Sequence, residues 1–125
     1  MRTLSLARSV LQDALRATWL FAQLQPAELD GLLTLASVRR VGRDEAVTRR
    51  GDSDRSLMVL VQGRLRAGCV SPEGREVVMN LIEPGEVFGE MALLDGKPRS
   101  LDVIAAVDST VLVLERRDFL PFLRA

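Results

Sequence analysis

The chain has 125 residues, 47% of them apolar, which is enough for one core and too apolar for a disordered segment. Seventeen basic residues balance seventeen acidic ones, so the positive surplus that binding to nucleic-acid backbones or anionic lipid draws on is missing. Histidine and tyrosine are absent and Cys69 is the single cysteine, which excludes Ser-His and Cys-His nucleophiles, His metal sites and an internal disulfide.

With no nucleophile–base pair and no metal cluster, the chain is expected to be neither an enzyme nor a cofactor carrier. A lone cysteine suits a reducing, cytoplasmic setting. Cys69 alternates with Leu65 and Ala67, so it reads as a small core residue. No apolar run reaches the ~18–20 residues of a membrane span. Charge also interrupts the start, Met1 to Arg8, too early for a secretory signal. Direct binding of nucleic acid or membrane by this segment is therefore not expected.

Residues 1–36 read as helical. Ala7, Val10, Leu11, Ala14 and Leu15 recur at helical spacing, opposite Arg8, Gln12, Asp13 and Arg16. Trp19–Leu24 is an apolar connector with room for one helical turn. Pro26 suits the first position of the next helix, Glu28 and Asp30 fall in its first turn, and Leu29, Leu32, Leu33 and Ala36 form its stripe.

From Ser37 to Glu115 the period changes to short β-rich runs: 38–41, 46–48, 57–61, 65–70, 77–82, 100–105 and 110–114. Gly42, Gly51-Asp52, Gly63, Ser71-Pro72-Glu73-Gly74 and Pro84-Gly85 punctuate them. Short strands of regular spacing predict a mainly β fold, a jelly-roll (double-stranded β-helix) barrel with flanking N- and C-terminal helices. Residues 116–125 begin a C-terminal helix that Pro121 should kink or shorten. The whole is expected to be a single domain, 1–125, and its abrupt end suggests a piece of a longer protein.

One stretch interrupts the strands. In Phe88-Gly89-Glu90-Met91-Ala92-Leu93, Gly89 lets the backbone come close to a ligand, and a helical turn at 90–94 would present the N–H groups of Glu90 to Ala92 to an anion. Arg99 offers a planar, permanently charged fork to phosphate oxygens, and Ser100 adds a hydroxyl. Glu90 would repel phosphate but can accept from sugar hydroxyls.

The spacing Phe88-Gly89-Glu90-x-Ala92-Leu93, five residues, then Arg99-Ser100 resembles the phosphate-binding cassette of cyclic-nucleotide-binding domains. That family includes bacterial catabolite activators, protein kinase A regulatory subunits and cyclic-nucleotide-gated channels. The resemblance runs from about Leu20 to Phe122, through the Arg49-Arg50-Gly51-Asp52 turn, the Val61-Gln62-Gly63-Arg64-Leu65 turn and Arg116-Arg117-Asp118-Phe119.

The resemblance implies that Glu90 binds the ribose 2′-hydroxyl. Arg99 would hold the cyclic phosphate, helped by Ser100 and by N–H groups of Gly89, Glu90, Met91, Ala92, Ser100 and Leu101. Met79 and Val103 would line the wall beneath base and sugar, unless they are simply barrel core, and Asn80 is a weaker polar contact. The family usually has Ala, and often Thr next, where this chain has Leu101 and Asp102. Leu101 shares a strand face with Val103 and would crowd the ligand.

The expected function is a cyclic-nucleotide sensor, for cAMP with cGMP the alternative ligand, in a bacterial transcription regulator that leaves room for a homodimer of the full-length protein. The other readings are a degenerate roll that binds another effector or a protein partner, and the regulatory domain of a channel or enzyme.

Overall fold

The computed structural model describes residues 2–3, 8–18, 21–53, 56–89 and 98–123. Its elements are β1 (Arg2–Thr3), α1 (Arg8–Arg16), α2 (Pro26–Leu35), β2 (Ser37–Val41), β3 (Ala46–Thr48), β4 (Ser56–Gln62), β5 (Leu65–Val70), β6 (Glu76–Ile82), β7 (Val87–Phe88), β8 (Asp102–Ala105), β9 (Ser109–Glu115) and α3 (Arg116–Leu123). The strands form two antiparallel sheets, ordered β1-β2-β9-β4-β7 and β3-β8-β5-β6. The mainly β roll with helices at both ends is the architecture expected of the sequence.

The layering explains the two most apolar runs. β4 and β9 each read as six consecutive buried residues, because their sheet is covered on both faces. Leu57, Val59 and Val61 of β4 and Leu112 and Leu114 of β9 pack against Leu15 of α1 and Leu29 and Leu32 of α2. Met58, Leu60, Val111 and Val113 face the other way, against Leu65, Ala67, Val103 and Ala105 of the second sheet. That sheet has one face inward and one outward, so β8 alternates instead.

Local sequence sets the helix boundaries. Pro26 occupies the first turn of α2, where its missing N–H costs nothing, and Glu28 accepts the Gln25 N–H at 3.0 Å. Gln12 of α1 donates to Asp30 of α2 at 2.6 Å, joining the two helices. Val10, expected on the buried stripe of α1, is instead exposed. α3 does not stop at Pro121 but runs on to Leu123. Among the described residues no helix is long and apolar enough to cross a membrane.

β5 and β6 pair with a register shift. Ala67 lies opposite Asn80 and Gly68 opposite Val78, which leaves Met79 as the extra residue of a bulge. β6 is the edge of its sheet, and Val77, Val78, Met79 and Leu81 are all exposed there. On the outer face Arg66 pairs with Glu76 and Asp44. The Glu76 hydrogen bond leads the causes that hold Arg66 above the ordinary arginine range, so its guanidinium stays charged throughout physiological pH.

Candidate functional site

Arg99 is the one buried charged side chain among the described residues, 7% exposed. A guanidinium is expensive to bury unless its N–H groups are met. Here its Nη2 donates to the Ser56 carbonyl at 2.7 Å, at the start of β4. Gly89, just past β7, closes against the same group. Its φ is +89°, and a Cβ there would overlap Arg99 Nη1 and lie 3.1 Å from the Ser56 carbonyl oxygen. Only glycine allows both the backbone angle and the approach.

The backbone of Arg99 is held as firmly as its side chain. Its N–H donates to the Asp52 carbonyl at 2.8 Å, and its carbonyl accepts from the Gly51 N–H at 2.8 Å. The Arg49–Asp52 turn, noticed in the sequence as a strand break and as part of a resemblance, is thus the support of the candidate phosphate-binding residue. Ser56 was missed altogether, because it acts through a carbonyl that every residue possesses.

The chain then enters β8. Ser100 is exposed, and Leu101 is half-buried against the cluster that contains Val103 and Phe88. The strand expected from Ser100 begins at Asp102. Val103 is 8% exposed and lies opposite Ala67 of β5, so its core reading holds. Asn80 is opposite Ala67 on the other side, and cross-strand partners share a face, so Asn80 shares the inner face with Val103.

Two sequence expectations need correction. Met79 is 64% exposed, so it is not barrel core; the bulge takes it out of the regular alternation. Cys69 is only partly buried and lines the outer groove with Arg66 and Gly68, where β5 runs past the core toward the Ser71–Gly74 turn. Glu90, Met91, Ala92 and the helical turn expected at 90–94 lie outside the described residues. Among the described residues no group of His, Cys, Asp or Glu could hold a metal ion.

Relatives share this arrangement of strands. The cyclic AMP receptor protein of Thermus thermophilus is 34% identical over 105 residues, covering 84% of this chain and 49% of its own. A crystal structure described as the catabolite activator protein of T. thermophilus aligns with a TM-score of 0.74 at 34% identity, over 84% of this chain and 49% of that one. The regulatory domain of Toxoplasma gondii PKA, crystallised with cAMP, aligns at 27% identity with a TM-score of 0.81, over 90% of this chain and 42% of that one. The acetyltransferase Pat of Mycolicibacterium smegmatis is 32% identical over 74% of this chain and 27% of its own, so some relatives join such a domain to an enzyme. The chain spans half or less of the length of each. Residues 38–125 match the family described as the cyclic nucleotide-binding domain. That match takes in β2 through α3 and with them the seat of Arg99, and the chain belongs to the cyclic nucleotide-binding domain family.

Proposed function

We propose that this chain is the sensor domain of a bacterial transcription regulator, with cAMP as its effector. The observation that carries the reading is the buried Arg99 guanidinium set against Gly89 and the Ser56 carbonyl. A fixed, desolvated cation is what a cyclic phosphate needs, since the water it displaces from both partners is replaced by charge-assisted hydrogen bonds. The cyclic AMP receptor protein of T. thermophilus and the cAMP-bound PKA domain support the choice of ligand.

In this reading Gly89, Glu90, Met91 and Ala92 supply N–H groups to the phosphate, with Ser100 and Leu101, while Glu90 accepts from the ribose 2′-hydroxyl. Val103 underlies the sugar and base, and Met79, from the exposed edge, reaches over them. The domain works in the cytoplasm and signals by binding one of two arrangements of its helices more tightly than the other. Nucleic acid is contacted by the rest of the protein, as a homodimer, and not by this segment.

The test is calorimetric titration with cAMP, cGMP, a cyclic dinucleotide and 2′-deoxy-cAMP. Binding of cAMP is expected, with the deoxy ligand weaker. That penalty should shrink in Glu90→Gln, since a hydrogen bond to a charged acceptor is worth about 1.5–3 kcal/mol and one to a neutral acceptor less. Equal binding of ribo and deoxy ligands would remove Glu90 from the role. Failure of every nucleotide to bind would favour the second reading, a roll that has lost its nucleotide.

Leu101 is the feature that favours that second reading. It stands where the family usually has a small residue, and its side chain occupies the inner face beside Val103. Leu101→Ala is expected to tighten cAMP binding while costing ~2 kcal/mol of stability, the low end for a Leu→Ala change because the residue is half-buried. Lower stability with unchanged affinity would make Leu101 an ordinary packing residue.

A further inference from the structure

Asp102 does not share the inner face with Val103. It alternates to the outer side of its sheet, where with Arg49 and Ile104 it lines a shallow groove. A nucleotide held against Arg99 and Val103 is out of its reach. Aspartate is also a poor strand former, so its place at the first position of β8 calls for a reason. The reason is in its hydrogen bond: Asp102 Oδ1 accepts from the Arg50 N–H at 2.7 Å.

That bond joins the same two segments that meet at Arg99. The Arg99 N–H reaches Asp52, and the Gly51 N–H reaches the Arg99 carbonyl. Inside the turn, Asp52 Oδ2 accepts from the Arg49 N–H at 2.9 Å and closes it. The turn is therefore tied to the chain at Arg99 and again just beyond it. Two ties fix a direction as well as a position. Releasing the second leaves the turn held by its two backbone bonds to Arg99 and by the pairing of Thr48 with Val103, with Arg50 between them untied.

We infer that Asp102 is a positioning residue for the phosphate ligand, acting through the Arg49–Asp52 turn on the backbone of Arg99. The inference rests on the nucleotide-sensor reading and adds a residue to its site. The guanidinium is already committed on one side to the Ser56 carbonyl. Its remaining geometry toward a phosphate is set by where the Arg99 backbone lies, and hydrogen bonds weaken steeply once distance and angle drift.

The experiment compares Asp102→Ala, which removes the acceptor, with Asp102→Asn, which keeps an oxygen in place. In titrations of the full chain with cAMP, Asp102→Ala should weaken binding roughly three- to tenfold and Asp102→Asn by less than about twofold. Amide hydrogen exchange without nucleotide gives a second reading. The Gly51 and Arg99 amides should exchange faster in Asp102→Ala, while the amides between β4 and β9 keep native protection. Rescue by asparagine and loss of protection confined to the clamp are results that general destabilisation would not give. Native affinity in Asp102→Ala, or protection lost evenly across both sheets, would overturn the inference and leave the sensor reading intact. If the native chain binds no cyclic nucleotide, the sensor reading fails by itself. Exchange at Gly51 and Arg99 then decides the clamp: faster exchange supports it and unchanged exchange overturns it.

Discussion

Arg99→Ala is expected to weaken cyclic-nucleotide binding by roughly 10²–10⁴-fold, the equivalent of about 3–5 kcal/mol for removing one partner of a desolvated charge pair. The arginine is 7% exposed, so water cannot take its place beside the phosphate without reopening the site. Lys97→Ala removes the nearest cation in sequence and is expected to lower affinity by no more than about fivefold, the upper range for a solvent-screened charge. The ratio of the two losses, measured by calorimetry on variants whose thermal unfolding is recorded alongside, locates the phosphate. Similar losses for both would place it away from Arg99 and remove the basis of the site.

Gly89→Ala should damage both stability and binding, and Gly74→Ala only the first. Both glycines have positive φ, +89° and +82°. An alanine in that region costs about 1–2 kcal/mol from backbone strain alone. At Gly74 a Cβ meets nothing within 4 Å, so the Ser71–Gly74 turn reports the strain by itself. At Gly89 the Cβ also collides with Arg99 Nη1. To make room, the guanidinium must leave the Ser56 carbonyl. The expected result is a cAMP affinity at least about tenfold lower for Gly89→Ala and native affinity for Gly74→Ala, with the larger shift in unfolding for Gly89→Ala. Native affinity in Gly89→Ala would mean that the contact between Gly89 and Arg99 has no part in binding.

The strands were legible in the sequence where turn residues bound them. Gly63, Ser71–Gly74 and Pro84-Gly85 each fall between two observed strands, and the reading of 46–48 and 65–70 matches β3 and β5 residue for residue. β1 and β7 have two residues each and no periodicity to detect. The error at Met79 has a different cause. Val77 to Ile82 is apolar almost throughout, so alternation within it carries no information about a bulge. The signal lay in the opposing strand: Gly68 sits in a strand interior, and a Cβ there would run into the Val77 carbonyl.

The candidate site was legible in its side chains and hidden in its supports. Arg99 stood out as a permanently charged fork at its place in the cassette, and Gly89 because it lets the backbone come close to a ligand. The Asp52 and Ser56 carbonyls and the Gly51 N–H carry no mark in the sequence, since backbone groups are common to all residues. Asp102 was visible only as a departure from its family, and its role needed the position of Arg50.

The order of strands has a consequence for how the chain reaches this structure. β9 lies between β2 and β4, so Ser37 pairs with Val113 and Leu57 with Leu114. During synthesis β2 and β4 are made long before the strand that joins them. Until it emerges, β2 has only the two residues of β1 to pair with and β4 only the two of β7, and the apolar residues of both lack the strand that joins them. Closing such distant pairs is entropically slow, and unpaired edges attract other chains meanwhile. Premature termination anywhere before Ser109 would therefore yield two strands waiting for a third, a species for chaperones and proteases rather than a shortened domain.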